Sequence, residues 1–320
     1  MPTIDLPLDE LRTYGGRNPR PADFDAYWSN ALVELDATHD QVTIEAVEYP
    51  SRVAECSHLW FTGVGGARIY AKYLRPREQG EARPGIVVFH GYGGSSPDWF
   101  DLLPYVSQGY SVLAMDCRGQ GGRSEDVGGI RGNTLNGHVV RGLASGPRGL
   151  LYRSIFLDCV QTVRILMNLP GLDAGRIGVT GASQGGGLTL ACAALEPRVK
   201  AAASVFPFLS DYLRVWELNL AERAYGELRE HLRRFDPTHD QFEDLFQALG
   251  YIDVQHLAPR VRATVLMATG LMDEICPPST QFAAYNKIAA AKRMVLYPDF
   301  GHEDLPGIRD RILTFFAESL

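Results

Sequence analysis

The sequence predicts an α/β protein built on a mostly parallel central sheet flanked by helices, and three observations carry that expectation. From Gly85 onward, short unbroken apolar runs recur: GIVVFHG, SVLAMDCRG, RIGVTGAS, KAAASVFP, ATVLMATGLMD and RMVLYPDFGHE. Such runs read as strands buried on both faces. Helical stretches separate them, the alternation expected when helices cover both sides of a parallel sheet. Before Gly85 the pattern is different: VTIEAVEY (42–49), ECSHLWFTGV (55–64) and ARIYAKYLRP (67–76) read as antiparallel strands.

Taken in chain order, the first element is a helix. PADFDAYWSNALVELDA carries Phe24, Tyr27, Trp28, Leu32 and Leu35 at helical spacing behind an acidic start at Asp23. All 320 residues are expected to form one domain, with 1–40 as a helical extension. The segment 208–258 is helical, charged and aromatic, and it lies between two predicted strands. It reads as an insertion over the sheet edge. The stretch 119–151 is glycine-rich and almost without pattern; a long irregular loop in a compact domain is usually functional, so it is expected to border the site.

Composition narrows the function classes. A hydrophobic content of 45% and a charged content of 22% are those of a soluble globular protein. A net charge of −7 without a basic cluster argues against nucleic acid or an anionic membrane as partner. The first residues show neither a basic nor an apolar leader segment, and no apolar run approaches membrane-spanning length, so a cytoplasmic location is expected. The five cysteines have no C-x-x-C spacing and imply neither a disulfide framework nor a zinc site; Cys117, Cys159 and Cys192 read as core fillers. No phosphate loop, dinucleotide fingerprint or H-E-x-x-H pattern occurs, so no cofactor and no metal is expected.

The chemistry centres on Gly181-Ala182-Ser183-Gln184-Gly185, a G-x-S-x-G between the apolar run at Ile177 and Val179 and a helix-compatible run from Leu188 to Leu195. In a chain with 33 glycines the pattern alone is a weak signal. Its strand–turn–helix setting is that of a nucleophile elbow, whose sharp turn requires small neighbours such as Gly181, Gly185, Gly186 and Gly187. A serine hydroxyl needs an imidazole to take its proton, and the imidazole needs a carboxylate to hold its tautomer. In α/β-hydrolases these follow the serine in the order acid, then histidine, at strand ends. His302 sits at the end of the RMVLYP strand and is the histidine in the right place for the base. Asp273, directly after ATVLMATG, is the favoured acid, although Glu274 and Glu303 are also carboxylates; Asp299 is too near His302 along the chain. Asp116 reads as a structural partner for loop residues such as Arg118. An oxyanion hole needs two converging N–H donors: one from Gln184, the other from the loop His90-Gly91-Tyr92-Gly93-Gly94, with Tyr92 the best candidate.

The chain resembles the acetyl xylan esterase and cephalosporin-C deacetylase group, carbohydrate esterase family seven of the α/β-hydrolases. The resemblance rests on YGGRNPRPADFDAYW, HGYGG, RGQGGRSED, GASQGGGL, GLMDEICPPSTQFAAYN and GHE, which run from the first helix to the last strand. It implies a Ser183–Asp273–His302 triad, an oxyanion hole from Tyr92 and Gln184, and Tyr92 also in contact with substrate. It further implies deacetylation of small substrates, acetylated xylo-oligosaccharides and cephalosporin C, in a hexameric ring. The alternative is an α/β-hydrolase acting on another ester, a thioester or a peptide bond. Arg123 after RGQGG departs from the family pattern and puts the local loop conformation in doubt.

Overall fold

A computed structural model describes residues 4–78, 80–127 and 133–320. Among the described residues, nine strands form one sheet in the order β1-β2-β3-β5-β4-β6-β7-β8-β9. The strands are β1 (Thr43–Val47), β2 (Ala54–Thr62), β3 (Arg68–Pro76), β4 (Arg83–Phe89), β5 (Ser111–Met115), β6 (Leu172–Ala182), β7 (Ala201–Val205), β8 (Thr264–Gly270) and β9 (Lys292–Tyr297). β1, β2, β3 and β5 pair antiparallel in sequence, and every pairing from β5 through β9 is parallel. The change of pattern at Gly85 therefore marks the change from antiparallel to parallel pairing.

Helices α1 (Leu8–Leu11), α2 (Phe24–Asp36), α3 (Trp99–Ser107), α4 (Leu151–Asn168) and α5 (Gln184–Leu195) precede the insertion. Within it lie α6 (Tyr212–Glu217), α7 (Gly226–Phe235), α8 (Phe242–Leu249) and α9 (Val254–Leu257); α10 (Pro278–Lys287) and α11 (Ile308–Ser319) follow. Side chains alternate along each strand, so one strand feeds two cores. In β4, Val87 and Phe89 join the cluster containing α2, α4 and α5, while Ile86 and Val88 face the cluster of Leu102, Val106, Phe315 and Phe316. The aromatic face of α2 is buried as its spacing predicts: Phe24 and Trp28 are fully enclosed, and Trp28 stacks on Phe156 of α4.

The segment 208–258 leaves the carboxyl end of β7 and returns to β8, and its helices pack on α5 and α10. Part of the loop 119–151, residues 128–132, lies outside the described residues. Its described parts turn inward, with Gln120, Ser124, His138 and Val139 buried. One expectation is corrected here. Arg118 does not pair with Asp116; its guanidinium forks onto Asp158 of α4 at 2.7 Å on both nitrogens, with both side chains buried. Asp116 is occupied by backbone, accepting the Ser96 N–H at 2.6 Å and the Arg123 N–H at 2.7 Å. All five cysteines are buried and unpaired. No helix among the described residues is long and apolar enough to cross a membrane.

Candidate active site

Ser183 stands between β6 and α5 with φ 58° and ψ −120°, a conformation that L side chains rarely adopt. The surrounding backbone fixes it there. Its N–H donates to the Val205 carbonyl at 3.0 Å, and its carbonyl accepts the Phe208 and Gly187 N–H groups, each at 3.0 Å. The helix begins at Gln184, four residues ahead of the apolar run at Leu188, because the glycines belong to it. A Cβ on Gly185 would lie 2.2 Å from the Phe89 carbonyl oxygen, and one on Gly187 2.3 Å from that of Phe208. The glycines thus bring the first turn of α5 down onto neighbouring strand ends and aim its N–H groups at the space before Ser183.

His302 Nε2 lies 3.0 Å from Ser183 Oγ, and His302 Nδ1 lies 2.8 Å from Asp273 Oδ2. Asp273 is fully buried, and its other oxygen accepts the Ile275 and Cys276 N–H groups at 2.9 and 2.7 Å. With a carboxylate on the Nδ1 side, Nδ1 carries the proton and Nε2 is left to accept from the serine. The other carboxylates are elsewhere: Glu303 accepts the Gly301 N–H, and Glu274 is exposed. Phe206 closes the other face of the imidazole, ring centroids 4.4 Å apart.

The opposite wall is the loop after β4. His90 is locked as a neutral ring: Nε2 accepts the Cys117 N–H at 2.9 Å and Nδ1 donates to the Gly91 carbonyl at 2.7 Å, with burial lowering its pKa. Gly93 N–H donates to Gln120 Oε1 at 3.0 Å. The Gln184 side chain is fixed by Gln120 Nε2 at 2.9 Å and the Tyr152 hydroxyl at 2.6 Å. Among the described residues, the backbone N–H groups of Tyr92 and Gln184 have no hydrogen-bond acceptor. Two free donors flanking a serine are what a developing oxyanion requires.

Sequence reasoning did not find Gln120, Tyr152 or Glu227. Glu227, in the first turn of α7, accepts the Tyr92 hydroxyl on Oε1 and the Val140 N–H at 3.0 Å on Oε2. Burial pushes its carboxyl up to about 7, against the hydrogen bonds of Tyr92 and Val140, which act to lower it. His138 is buried beside the Tyr92 ring with neither ring nitrogen hydrogen-bonded among the described residues, and burial drives its pKa down to about 4. Tyr92 and Glu227 are among the residues lining an open cleft of about 710 Å³, together with Asn136, Arg229, His231 and Phe235.

Asp273, Cys276 and His302 place one possible ligand atom each within 4.8 Å of one another. Two of them are already hydrogen-bonded to each other, and burial raises the Cys276 thiol pKa, favouring the uncharged thiol that binds metal poorly. The donor set serves proton transfer better than cation binding. Arg123, the departure from the family pattern, lies over the Tyr70 ring at 5.1 Å.

A nucleophile elbow after the third parallel strand, with acid and histidine following two later strands in that order, defines the α/β-hydrolase class. Within that class the chain belongs to the acetyl xylan esterase family, whose model matches residues 1–319. It is similar to acetyl xylan esterase 1 from Thermoanaerobacterium sp. JW/SL YS485, with 52% identity, a TM-score of 0.95, and coverage of 98% of this chain and 99% of that one. An acetyl xylan esterase from Paenibacillus sp. R4 is 36% identical with a TM-score of 0.93, covering 98% and 100% of the two chains. The acetyl esterase Axe7A of Xylanibacter ruminicola is 27% identical over 87% of this chain, which spans 62% of that relative's length. An acylaminoacyl peptidase of Pyrococcus horikoshii, 20% identical with a TM-score of 0.62 over 84% of this chain and 42% of that one, shares the fold.

Proposed function

We propose that this protein is a serine esterase that removes acetyl groups from small acetylated substrates through an acetyl-enzyme intermediate. One observation carries the reading: the continuous line Ser183 Oγ to His302 Nε2 at 3.0 Å and His302 Nδ1 to Asp273 Oδ2 at 2.8 Å, facing two free backbone N–H groups.

Ser183 Oγ attacks the acetyl carbonyl carbon while its proton passes to His302 Nε2. The imidazolium gains a buried carboxylate partner in Asp273, whose second oxygen is held by two backbone donors and cannot turn away. The tetrahedral oxyanion is received by the Tyr92 and Gln184 N–H groups, each contributing about 10²–10³ in rate. Collapse expels the alcohol, which takes the proton from His302, and leaves acetyl on Ser183. Water then enters, His302 removes its proton, and a second tetrahedral intermediate releases acetate.

Membership of the acetyl xylan esterase family and the two close structural relatives support acetyl esters as substrates. Acetylated xylo-oligosaccharides and cephalosporin C are the substrates we assign, in a cytoplasmic hexamer whose enclosed sites exclude polymers. Ser183→Ala is expected to abolish turnover of p-nitrophenyl acetate while circular dichroism and melting stay unchanged; retained turnover sinks the assignment. In a panel of cephalosporin C, acetylated xylobiose and polymeric acetyl xylan, the polymer is expected to be the poorest substrate, and efficient release from it overturns the enclosed-site reading.

A further inference from the structure

The loop that offers the Tyr92 N–H is short of handles. Gly91, Gly93 and Gly94 surround Tyr92, and Gly93 sits at φ 66°. Glycine backbone is permissive, so a donor embedded in it is placed only by what its neighbours grip. His90 Nδ1 and the Gly94 N–H hold one end of the Gly91–Tyr92 peptide, donating to the Gly91 carbonyl at 2.7 and 3.1 Å, and Gly93 is held at its N–H. The Tyr92 side chain adds a hold at the Cα end of the donor, reaching outside the loop. Its ring packs against Phe208 and His138, with centroids 5.7 and 5.0 Å apart. Its hydroxyl donates to Glu227 Oε1 and accepts the His138 N–H at 3.2 Å.

Glu227 itself is held on its other oxygen by the Val140 N–H, so a single carboxylate joins three segments: the loop after β4, residues 138–140, and the first turn of α7. A carboxylate suits this junction because both of its oxygens accept, and both partners are donors. It is also favoured near the positive end of a helix. A glutamine of the same shape offers one accepting oxygen and would turn an N–H₂ toward one of the two donors.

We propose that Glu227 is a positioning residue for ester hydrolysis: through the Tyr92 phenol it sets the place of the Tyr92 N–H that receives the oxyanion. The inference rests on the serine-esterase reading above and on Tyr92 as an oxyanion donor. It makes the insertion part of the catalytic apparatus without contributing an atom that touches the reacting ester.

The test compares full-length wild type, Glu227→Gln, Tyr92→Phe and the double variant on p-nitrophenyl acetate, with inhibition by a boronic acid as a probe of the tetrahedral geometry. Glu227→Gln is expected to lower kcat about 10- to 100-fold with KM changed less than about threefold, part of the loss known for deleting an oxyanion donor. Tyr92→Phe removes one oxygen, keeps the backbone donor, and is expected to lower kcat similarly. The double variant is expected to be no worse than the poorer single one, since both break one interaction. Boronic acid affinity is expected to fall in step with kcat. A merely structural Glu227 would lower the melting temperature and leave kcat of the folded protein alone. Retention of kcat within twofold in either single variant, or additive losses in the double, overturns the proposal. If Glu227→Gln fails to fold, Tyr92→Phe decides. Fluorophosphonate labelling of wild type separates the two levels: labelling lost only in Ser183→Ala leaves the serine reading standing whatever Glu227 does, whereas wild type that takes no label removes both.

Discussion

The proposed proton-transfer side and the proposed oxyanion side of this site are assembled in different ways. Ser183, Asp273 and His302 each follow a strand of the parallel sheet within five residues of its end, so the sheet itself sets their spacing. The oxyanion side is placed by side chains reaching across the fold: Gln120 to Gln184, Tyr152 to Gln184, and Glu227 to Tyr92. A wall made of strand ends inherits the rigidity of the sheet. A wall made of loops needs a separate hydrogen-bonded scaffold, and that scaffold is drawn from the parts of the chain with the least regular structure.

The largest expected effect comes from breaking the sheet-built side. Asp273→Asn is expected to lower kcat on p-nitrophenyl acetate about 10⁴-fold, because an amide favours the wrong histidine tautomer. Steady-state kinetics with matched melting curves check this; a loss under tenfold would mean that Asp273 does not orient His302.

A second experiment strikes the foundation of the loop-built side. The bidentate pair of Arg118 with Asp158 pins the start of the segment that carries Gln120, and Asp158 is completely buried. Arg118→Met leaves that carboxylate without its partner, and unfolding in urea is expected to show a loss of about 3–5 kcal/mol. Stability within 1 kcal/mol of wild type would show that the loop has another anchor.

The smallest effect concerns α5, the helix shared by both sides. Its far end is stapled by Glu196 at the carboxyl cap, held between Arg164 and Arg198 at 2.8 and 2.7 Å. Despite burial, these hydrogen bonds lower the Glu196 pKa from 4.5 to about 2. These two ion pairs therefore contribute stability that is complete above about pH 4.5 and is lost as pH falls toward 2. With Arg198 half in solvent, the contribution is about 1–2 kcal/mol. Glu196→Gln is expected to lower the melting temperature at pH 7 and to match wild type near pH 2; an equal gap at both values contradicts the linkage.

The same contrast explains what could be read in the sequence. Six apolar runs were enough to place the parallel strands, and strand ends were enough to place Ser183, Asp273 and His302, because apolar periodicity and spacing are local signals. The partners of the oxyanion wall leave no such trace: Glu227 lies 135 positions from Tyr92 and Gln120 lies 64 from Gln184. Proximity misled in the case of Arg118, where Asp116 two residues away looked like the partner. Backbone N–H groups had already claimed that carboxylate, and the true partner waits 40 positions on in α4.

Ser183 holds its side chain in a backbone conformation suited to glycine, and strain of this type is worth about 1–3 kcal/mol. Glycine at this position would relieve that strain, but it would forfeit the hydrogen bond between Ser183 Oγ and His302 Nε2 and add chain freedom to the unfolded state. The hydroxyl that meets His302 is thus carried on backbone that a residue without a Cβ would occupy at lower strain, so this turn trades local stability for the placement of one oxygen atom.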